Sequence, residues 1–419
     1  MKPTLVIIGA SYAGTQLAAS AREYGFDGRI VLLGEEPDAP YQRPPLSKSF
    51  LTGQFAEARL PLRSPAFFDE ERVEWRPSTR VTRIDRDRRE VVLHDGTSLR
   101  YDHLALTTGA RVRTLAIEGA FYLRDLADAR RLAEASRTAR SVVVIGGGYI
   151  GLEVAASLRQ SGAEVTVVEA ESRVLARVAS EPLSTFVLEA HTAQGVQFRL
   201  NRKVAALHAR AGHIDTIELD DGARLSCDLV VVGIGVVPNV ELAQSCGLRM
   251  ASTPGGGVAV DAYARTSDPA IVAAGDCASF VPHGSATDAT DASALRIESV
   301  QNANDMAKTA AATIVGRLEP YRAVPWFWSD QYDLKLQMAG LNTGWTHYAL
   351  RGSLEARKFS LFYFRGDALL AVDSVNRPQE HMLARKLLAG DLHPTQQQVS
   401  DDAFDLKGWI AQATTRPSA

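Results

Sequence analysis

A short apolar run at the start of the chain leads directly into a turn that contains two glycines. Leu5–Ile8 are strand-forming residues, and the turn that follows runs from Gly9 to Gly14. An alanine-rich amphipathic segment comes next, and then a second apolar run, Arg29–Glu35, ends in an acid 21 residues beyond Gly14. A strand, a glycine turn, a helix, a strand and an acid in this order predict a βαβ unit that binds a dinucleotide.

Each position of this turn has a physical task in such a unit. Gly9 permits the tight turn, and Gly14 lets the helix pack closely against the strand. A diphosphate lies at the helix N-terminus, where unpaired N–H groups favour an anion, and Glu35 accepts hydrogen bonds from a ribose. Ser11 stands where the fingerprint has its middle glycine, and we keep the prediction because its hydroxyl can donate to a phosphate. The alternative is a purely structural βα turn.

The same order of elements occurs a second time. Ser141–Ile145 form an apolar run, and the complete G-x-G-x-x-G pattern follows at Gly146, Gly148 and Gly151. A helical segment and a strand then end at Glu169, 18 residues past Gly151. The sequence therefore predicts two dinucleotide-binding domains of similar construction.

The acid at the end of the second unit also indicates which nicotinamide nucleotide is bound. A carboxylate at Glu169 suits the two ribose hydroxyls of NADH. The 2′-phosphate of NADPH would face a like charge there, at a cost of about 1–4 kcal/mol. Arg173 is close in sequence and could reduce this cost, and the prediction is NADH.

Three further segments are candidates for cofactor contacts. Pro40–Lys48 is either a stiff loop with solvated charges or a rigid loop that presents Arg43 and Lys48 to an anionic ligand. Thr108 and Gly109 follow an apolar strand and let the backbone approach a ligand closely. Asp276 follows another apolar strand, Ile271–Ala274, and either caps a helix or accepts a hydrogen bond from a cofactor hydroxyl.

Local patterns predict much of the remaining secondary structure. Asp95-Gly96 and Asp221-Gly222 lie between strand-like runs and predict hairpins. Residues 49–80 are predicted to be irregular, and helices are predicted to begin directly after Asp276 and to run from Arg296 to about Val315. Gly235, like Gly109, comes 13 residues after the glycine of the preceding hairpin.

The last 95 or so residues have a different sequence pattern from the two dinucleotide-binding units. Alternating runs at 336–341, 358–364 and 369–375 predict an antiparallel sheet, and a helix is predicted from about Gln379 to Ala389. The aromatic cluster Trp326–Tyr332 belongs to a core or places one tryptophan against a cofactor.

Composition excludes several classes of protein. The formal net charge of −3 does not favour nucleic-acid binding, and the longest apolar runs, such as Leu229–Val237, are too short to span a membrane. No signal peptide is evident. The three cysteines, Cys227, Cys246 and Cys277, form no CxxC pair, which indicates a cytoplasmic protein. We predict no metal site.

Several longer motifs together resemble those of one protein family. The motifs are Pro40–Lys48, Gly148–Glu153, Gly235–Asn239, Ala274–Asp276, Arg296–Ala303 and Pro325–Asp330. They resemble the FAD-dependent NADH:ferredoxin reductases of bacterial oxygenase systems, the putidaredoxin reductase and biphenyl-type dioxygenase reductase family. The resemblance covers nearly the whole chain.

The resemblance implies an α/β fold that is glutathione-reductase-like. Two Rossmann-type dinucleotide-binding domains are followed by a C-terminal α+β domain. An FAD-binding domain would comprise residues 1–112 and 241–322, an NAD-binding domain residues 113–240, and the C-terminal domain residues 323–419.

The resemblance also implies which residues bind the cofactors. The residues implied for FAD are Gly9, Gly14, Glu35, Arg43, Lys48, Val81, Arg124, Asp276, Val300 and Trp328, to which the turns add Ser11, Thr108 and Gly109. The residues implied for NADH are Gly146, Gly148, Tyr149, Ile150, Gly151, Glu169 and Gly235. Lys48 and Glu153 would face each other beside the flavin and nicotinamide as the catalytic pair. Asp125 stands where the family pattern suggests a small hydroxylated residue.

The implied activity is electron transfer from NADH through FAD to a [2Fe–2S] ferredoxin. That ferredoxin would supply a ring-hydroxylating dioxygenase or a cytochrome P450 in the catabolism of aromatic hydrocarbons. One alternative is a pyridine nucleotide-disulfide oxidoreductase, or an NADH peroxidase or oxidase, all of which need a redox cysteine near the flavin. Another is a flavin-binding interaction protein that resembles apoptosis-inducing factor.

Overall fold

The computed structural model describes residues 2–115, 119–210, 213–253, 255–282 and 294–415. The chain divides into two units. The first consists of Met1–Gln42, Ala58–Arg111 and Val236–Ala323, and the second of Arg43–Glu57, Val112–Gly235 and Val324–Ala419. The second unit includes the segments predicted for both the NAD-binding and the C-terminal domain. The three-domain division of the sequence stays a prediction.

The elements follow one another in the order that the sequence patterns indicate. The strands are β1 Thr4–Ile8, β2 Arg29–Leu33, β3 Val73–Arg76, β4 Val81–Asp85, β5 Glu90–Leu93, β6 Ser98–Arg100, β7 His103–Leu106, β8 Ala110–Val112, β9 Ser141–Ile145, β10 Glu164–Glu169, β11 Gln197–Leu200, β12 Val204–Arg210, β13 His213–Leu219, β14 Arg224–Ser226, β15 Leu229–Val232, β16 Val236–Pro238, β17 Val258–Val260, β18 Ile271–Ala273, β19 Ala278–Phe280, β20 Trp326–Gln331, β21 Leu334–Gly340, β22 His347–Ser353, β23 Lys358–Arg365 and β24 Ala368–Val375. The helices are α1 Tyr12–Glu23, α2 Ala66–Glu70, α3 Leu126–Ser136, α4 Tyr149–Gln160, α5 Glu181–Ala193, α6 Glu241–Ser245, α7 Val300–Ile314, α8 Pro378–Ala389, α9 Gln396–Ser400 and α10 Leu406–Thr415, with 3-10 turns at Pro44–Ser47 and Glu57–Arg59.

The first unit is built on a parallel sheet with the strand order β18-β7-β1-β2-β3. Its inner strands β1, β2 and β7 are mainly apolar on both faces, as in sheets that are covered on both sides, and residues 5–7 of β1 are fully buried. Helices α1 and α7 pack closely through small side chains such as Ala18 and Ala307, which are both fully buried. This packing places the N-terminus of α1 at the carboxyl edge of the sheet, where dinucleotide sites form in such folds.

The second unit repeats this plan and adds an antiparallel sheet. Its parallel sheet has the order β11-β10-β9-β15, in which β9 and β10 correspond to β1 and β2 of the first unit. The antiparallel sheet has the order β20-β21-β24-β23-β22 and shares one apolar core with helices α4 and α5. The predicted α/β class, with two Rossmann-type cores and an α+β C-terminal part, is confirmed.

Most local predictions agree with the structure. The hairpins at Asp95-Gly96 and Asp221-Gly222 are the β5–β6 and β13–β14 pairs, and the predicted helix of residues 379–389 is α8. Within the described ranges, no helix combines the length and the apolar character that a membrane crossing requires.

Three local predictions were wrong. Residues 49–80 are not irregular throughout, because Val73–Arg76 form an edge strand beside β2. No helix follows Asp276, because Ala278–Phe280 pair with β17 instead. Helix α7 begins at Val300 rather than Arg296, since the Ser299 side chain accepts a hydrogen bond from the N–H of Asn302 and caps the helix there.

Candidate functional site

The first glycine turn can be made only by glycines at two of its positions. Gly9 has φ of +106°, and a Cβ there would lie 2.2 Å from the carbonyl oxygen of Thr107. A Cβ on Gly14 would lie 2.0 Å from the carbonyl oxygen of Gly9. Both distances are far below van der Waals contact. The turn therefore has the tight backbone and the close helix–strand packing that the sequence predicts.

The N-terminus of α1 fits the diphosphate of FAD. Ser11 is its N-cap residue, with an extended backbone, and its side chain does not cap the helix. Four other helices in the described ranges have a side-chain cap, from Asp125, Ser180, Ser299 and Thr395, whereas α2, α6 and α8 have none. Because no side chain caps α1, its first N–H groups can donate hydrogen bonds to the oxygens of an anion.

The second glycine turn has the same geometry. Gly146 has φ of +109°, and a Cβ on Gly151 would lie 2.1 Å from the carbonyl oxygen of Gly146. Gly148 is different, because its φ is −78° and a Cβ there would have no atom within 4 Å. The protein itself does not require glycine at Gly148. The open space above the N-terminus of α4, which also has no side-chain cap, fits the diphosphate of NADH.

Replacing Gly148 by alanine is expected to weaken NADH binding about tenfold while leaving the stability of the protein unchanged. The new methyl group meets no protein atom, but it enters the space that a diphosphate needs, at a cost on the order of 1.4 kcal/mol. Titration of the protein with NADH and a urea unfolding curve measure the two quantities. Gly151→Ala is the comparison variant, and it should lose both stability and NADH binding. Unchanged NADH affinity in Gly148→Ala would contradict this assignment.

Glu35, which follows β2, and Glu169, the last residue of β10, have different surroundings. Glu35 is exposed and lies 3.6 Å from Arg80. Glu169 accepts backbone hydrogen bonds from Gly147 at 2.6 Å and from Glu171 at 2.8 Å. These bonds hold the Glu169 carboxylate beside the second glycine turn, where it would meet a ribose.

The guanidinium group of Arg173 is engaged in backbone hydrogen bonds. It donates to the carbonyl oxygens of Ala176 and Ala179, at 2.9 Å each, and so holds its own loop together. The described geometry around Glu169 therefore favours NADH over NADPH.

Of the other residues implied for FAD in the first unit, Thr108 and Asp276 follow the carboxyl ends of strands, Val300 starts a helix and Val81 starts a strand. Thr108 donates to the carbonyl oxygen of Asn239 at 2.6 Å, and Asn239 donates to the backbone oxygens of Thr108 and Gly109 through its side chain and its N–H. Asp276 follows Gly275, and a Cβ added to Gly275 would lie 3.2 Å from the Cβ of Ala13 at the start of α1. Val300 is the first residue of α7, and Val81 is buried in β4.

Four of the residues implied for FAD lie in the second unit: Arg43, Lys48, Arg124 and Trp328. Arg43 donates to the carbonyl oxygen of Arg124 at 2.5 Å. The next residue, Asp125, caps helix α3 through the N–H of Asp128, the task that a serine or threonine performs at such a position. The ring of Trp328 packs beside Trp326, with their centroids 5.6 Å apart.

Lys48 and Glu153 form a largely buried ion pair within the second unit. The Lys48 ammonium lies 2.8 Å from the Glu153 carboxylate, and their side chains are 17% and 5% exposed. Lys48 follows the 3-10 turn Pro44–Ser47, whose prolines stiffen it, and also donates to the carbonyl oxygen of Pro44 at 3.2 Å. Ser157 on α4 donates to the carbonyl oxygen of Ser47 at 2.8 Å. The loop and the helix therefore hold the two charges together.

Tyr149 and Ile150, at the start of α4, are placed differently from each other. The Tyr149 ring packs on Phe327 with centroids 4.8 Å apart, and burial raises the pKa of its hydroxyl well above the ordinary value. That hydroxyl is buried and has no hydrogen-bond partner within the described part of the chain. Ile150 is 43% exposed, unusual for so large an apolar residue.

Sequence patterns missed several residues of this region. Ser47 and Ser329 donate to the Glu153 carboxylate, and the guanidinium group of Arg177 lies 3.2 Å from the Cβ position of Gly235, which has φ of +98°. No periodicity marks these three side chains. Ser47 and Ser329 do lie within two of the longer motifs, Pro40–Lys48 and Pro325–Asp330, which were the only available signal.

None of the three cysteines is an activated thiol. All are free, and burial raises the pKa of Cys227 to about 11 and also raises the pKa values of Cys246 and Cys277. A reactive cysteine needs a lowered pKa. Burial therefore disfavours the thiolate form that a disulphide reductase or a thiol-based peroxidase uses.

Comparison with known families matches almost the whole chain. The family described as pyridine nucleotide-disulphide oxidoreductase matches residues 3–307, and the family described as reductase C-terminal matches residues 326–410. Rhodocoxin reductase of Rhodococcus erythropolis is 46% identical over 98% of this chain and 95% of that protein.

Solved structures give the same result. The ferredoxin reductase for the CYP199A2 system from Rhodopseudomonas palustris has a TM-score of 0.92 and 41% identity, over 97% of this chain and 100% of that one. The reductase of the covalent putidaredoxin reductase–putidaredoxin complex also has a TM-score of 0.92, with 38% identity over 99% of both chains.

Proposed function

This chain belongs to the pyridine nucleotide-disulphide oxidoreductase family, and from that membership we propose that it is a flavoprotein that transfers electrons from NADH through FAD to a [2Fe–2S] ferredoxin. The observation that carries this proposal is the pair of similarly built glycine turns, each of which leads into a helix without a side-chain cap. One turn suits FAD and the other suits NADH. A family member without an activated thiol needs another acceptor, and a ferredoxin accepts electrons without thiol chemistry.

The overall reaction balances in electrons and protons. NADH gives up two electrons as a hydride, two ferredoxins take one electron each, and one proton is released. Bound FAD supplies the conversion, because a flavin takes up two electrons together and passes them on singly. The protein has to hold the two cofactors, exclude water and adjust the charge around them.

This chain's residues have separate tasks in the proposal. The turn at Gly9 and Gly14 holds FAD, and the turn at Gly146 and Gly151 holds NADH with Glu169 on its ribose. Lys48 stabilises negative charge on the reduced flavin, and Glu153 holds Lys48 in place. The 2.8 Å ion pair supports this assignment, because a largely buried lysine with a fixed acceptor keeps its position.

The partner and the setting are inferred from the relatives. One similar structure holds putidaredoxin covalently attached to its reductase, and another serves a CYP199A2 system. We assign this chain a ferredoxin of an oxygenase system, either a cytochrome P450 or a ring-hydroxylating dioxygenase, in aromatic hydrocarbon catabolism. The three unpaired cysteines support a cytoplasmic location.

The first test is a visible spectrum of the purified protein, followed by anaerobic addition of NADH. The proposal predicts flavin bands that bleach within seconds with NADH and far more slowly with NADPH. Addition of oxidised [2Fe–2S] ferredoxins should then restore the flavin bands and reduce the iron–sulfur centre. Fast turnover with artificial acceptors but with no ferredoxin would overturn the ferredoxin assignment and favour an interaction protein. A flavin-free protein would overturn the proposal altogether.

A further inference from the structure

Both oxygens of the buried Glu153 carboxylate accept hydrogen bonds, and the donors come from two separate elements. One oxygen, Oε2, accepts from Lys48 at 2.8 Å and from the Ser47 hydroxyl at 2.5 Å. The other, Oε1, accepts from the Ser329 hydroxyl at 2.6 Å. Ser329 lies on β20 and is fully buried. Donors on both oxygens fix the plane of a carboxylate, whereas donors on one oxygen leave it free to rotate.

The side chain of Gln331 orients the Ser329 hydroxyl. Residues 329 and 331 lie on the same face of β20, and the Gln331 side-chain N–H donates to the Ser329 oxygen at 3.0 Å. The single hydroxyl proton of Ser329 is then directed to Glu153. The remaining amide oxygen of Gln331 lies 2.8 Å from Nε2 of His191, which must donate to it.

His191 begins this chain of hydrogen bonds as a neutral imidazole. It is fully buried on α5, and burial lowers its pKa to about 4, so it carries no charge at neutral pH. Its proton lies on Nε2, because Nε2 faces an amide oxygen. In the described part of the chain, Nδ1 has no hydrogen-bond partner. In each hydrogen bond from His191 through Gln331 and Ser329 to Glu153, the donor is therefore the group nearer to His191 and the acceptor is the group nearer to Glu153.

We infer that Ser329 is a positioning residue for the Lys48–Glu153 pair, at the end of a directional hydrogen-bond chain from His191 through Gln331. This inference rests on the proposed function, which gives the pair its role in flavin reduction. The C-terminal part of the chain thus sets the orientation of Glu153, and Glu153 in turn fixes the ammonium group of Lys48.

Replacing Ser329 by alanine leaves Oε1 without its donor and lets the carboxylate rotate. The first readout is the reactivity of the Lys48 amine toward acetic anhydride, measured by mass spectrometry relative to Lys335 and Lys358 in the same molecule. It should rise several-fold. The second readout is the rate constant for reduction of bound FAD by NADH, which should fall about tenfold. The Kd for NADH should stay within about twofold, because Ser329 is not among the residues assigned to NADH.

Ser360→Ala is the matched control. Ser360 is also fully buried in the same sheet, and its hydroxyl donates to another buried carboxylate, that of Glu380, at 2.6 Å. Its loss should leave both Lys48 readouts unchanged. A second variant, Gln331→Leu, keeps the Ser329 hydroxyl but removes the group that orients it, and should give a smaller change of the same kind. The double variant of Ser329 and Gln331 should add little to Ser329→Ala, since both act through one chain.

The outcomes separate this inference from the proposed function. Unchanged Lys48 reactivity in Ser329→Ala, or an equal rise in Ser360→Ala, overturns the positioning role. If Ser329→Ala does not fold, Gln331→Leu is judged by the same two readouts. A wild-type protein without FAD or without reduction by NADH overturns the proposed function instead, and the acetylation of Lys48 still reports on the hydrogen-bond chain.

Discussion

Replacing Lys48 by methionine is expected to slow the reduction of bound FAD by NADH about 100-fold. Methionine keeps an unbranched apolar stem, one atom shorter than lysine, but removes the charge proposed to stabilise the reduced flavin. The Glu153 carboxylate then remains buried without its cation, and the free energy of unfolding should fall by about 3 kcal/mol. Stopped-flow absorbance measures the rate, and urea unfolding measures the stability.

A double variant separates the two effects. When Glu153→Gln is added to Lys48→Met, the uncompensated buried charge disappears, so most of the lost stability should return. The slow reduction should remain, because the positive charge is still absent. A Lys48→Met protein that keeps its flavin spectrum and reduces its flavin at the normal rate would contradict the catalytic assignment of Lys48.

The second large effect is expected at Asp373, whose replacement by asparagine should stabilise the protein at pH 8. Asp373 is buried on β24 and accepts a hydrogen bond from Tyr363 at 2.8 Å. Burial raises its pKa from 3.8 to about 7. The unfolded chain releases this proton near pH 4, while the folded chain keeps it to about pH 7. Because the folded state binds more protons between these values, this group's contribution to stability falls as pH rises through that window.

Asparagine keeps the shape of the side chain but has no proton to lose. The variant should therefore be more stable than the wild type by up to about 4 kcal/mol at pH 8, and the difference should shrink as pH falls toward 4. Thermal unfolding from pH 4 to pH 8 measures this difference.

Asp268→Asn is the control with the opposite sign. Although burial acts to raise its pKa, hydrogen bonds from Arg86 and the N–H of Ala270 hold the pKa of Asp268 below the ordinary value. That variant should lose stability at pH 8 and recover as pH falls. A difference between Asp373→Asn and wild type that does not change with pH would show that Asp373 is ionised in the folded protein.

Short segments show where local patterns stop being sufficient. Val73–Arg76 has few apolar residues and becomes a strand only because β2 offers it an open edge. Ala278–Phe280 consists mainly of small residues, and its pairing with Val258–Val260 decides against a helix. In both cases the deciding partner is a separate strand, and the residues of the segment itself do not specify that pairing.

Sequence alone was enough for the two dinucleotide-binding turns, their flanking strands and helices, and the two Asp-Gly hairpins. Each of these depends on neighbours within about 30 residues, where glycines, apolar runs and acids carry the constraint directly. The resemblance further implied that Lys48 and Glu153 face each other, and the structure places their charged groups 2.8 Å apart. Only the tertiary structure brought Ser329 and His191 into the same hydrogen-bond chain and left Asp373 buried away from water. Burial and hydrogen-bond partners between residues more than 100 positions apart depend on how elements pack, and packing leaves no period in the sequence.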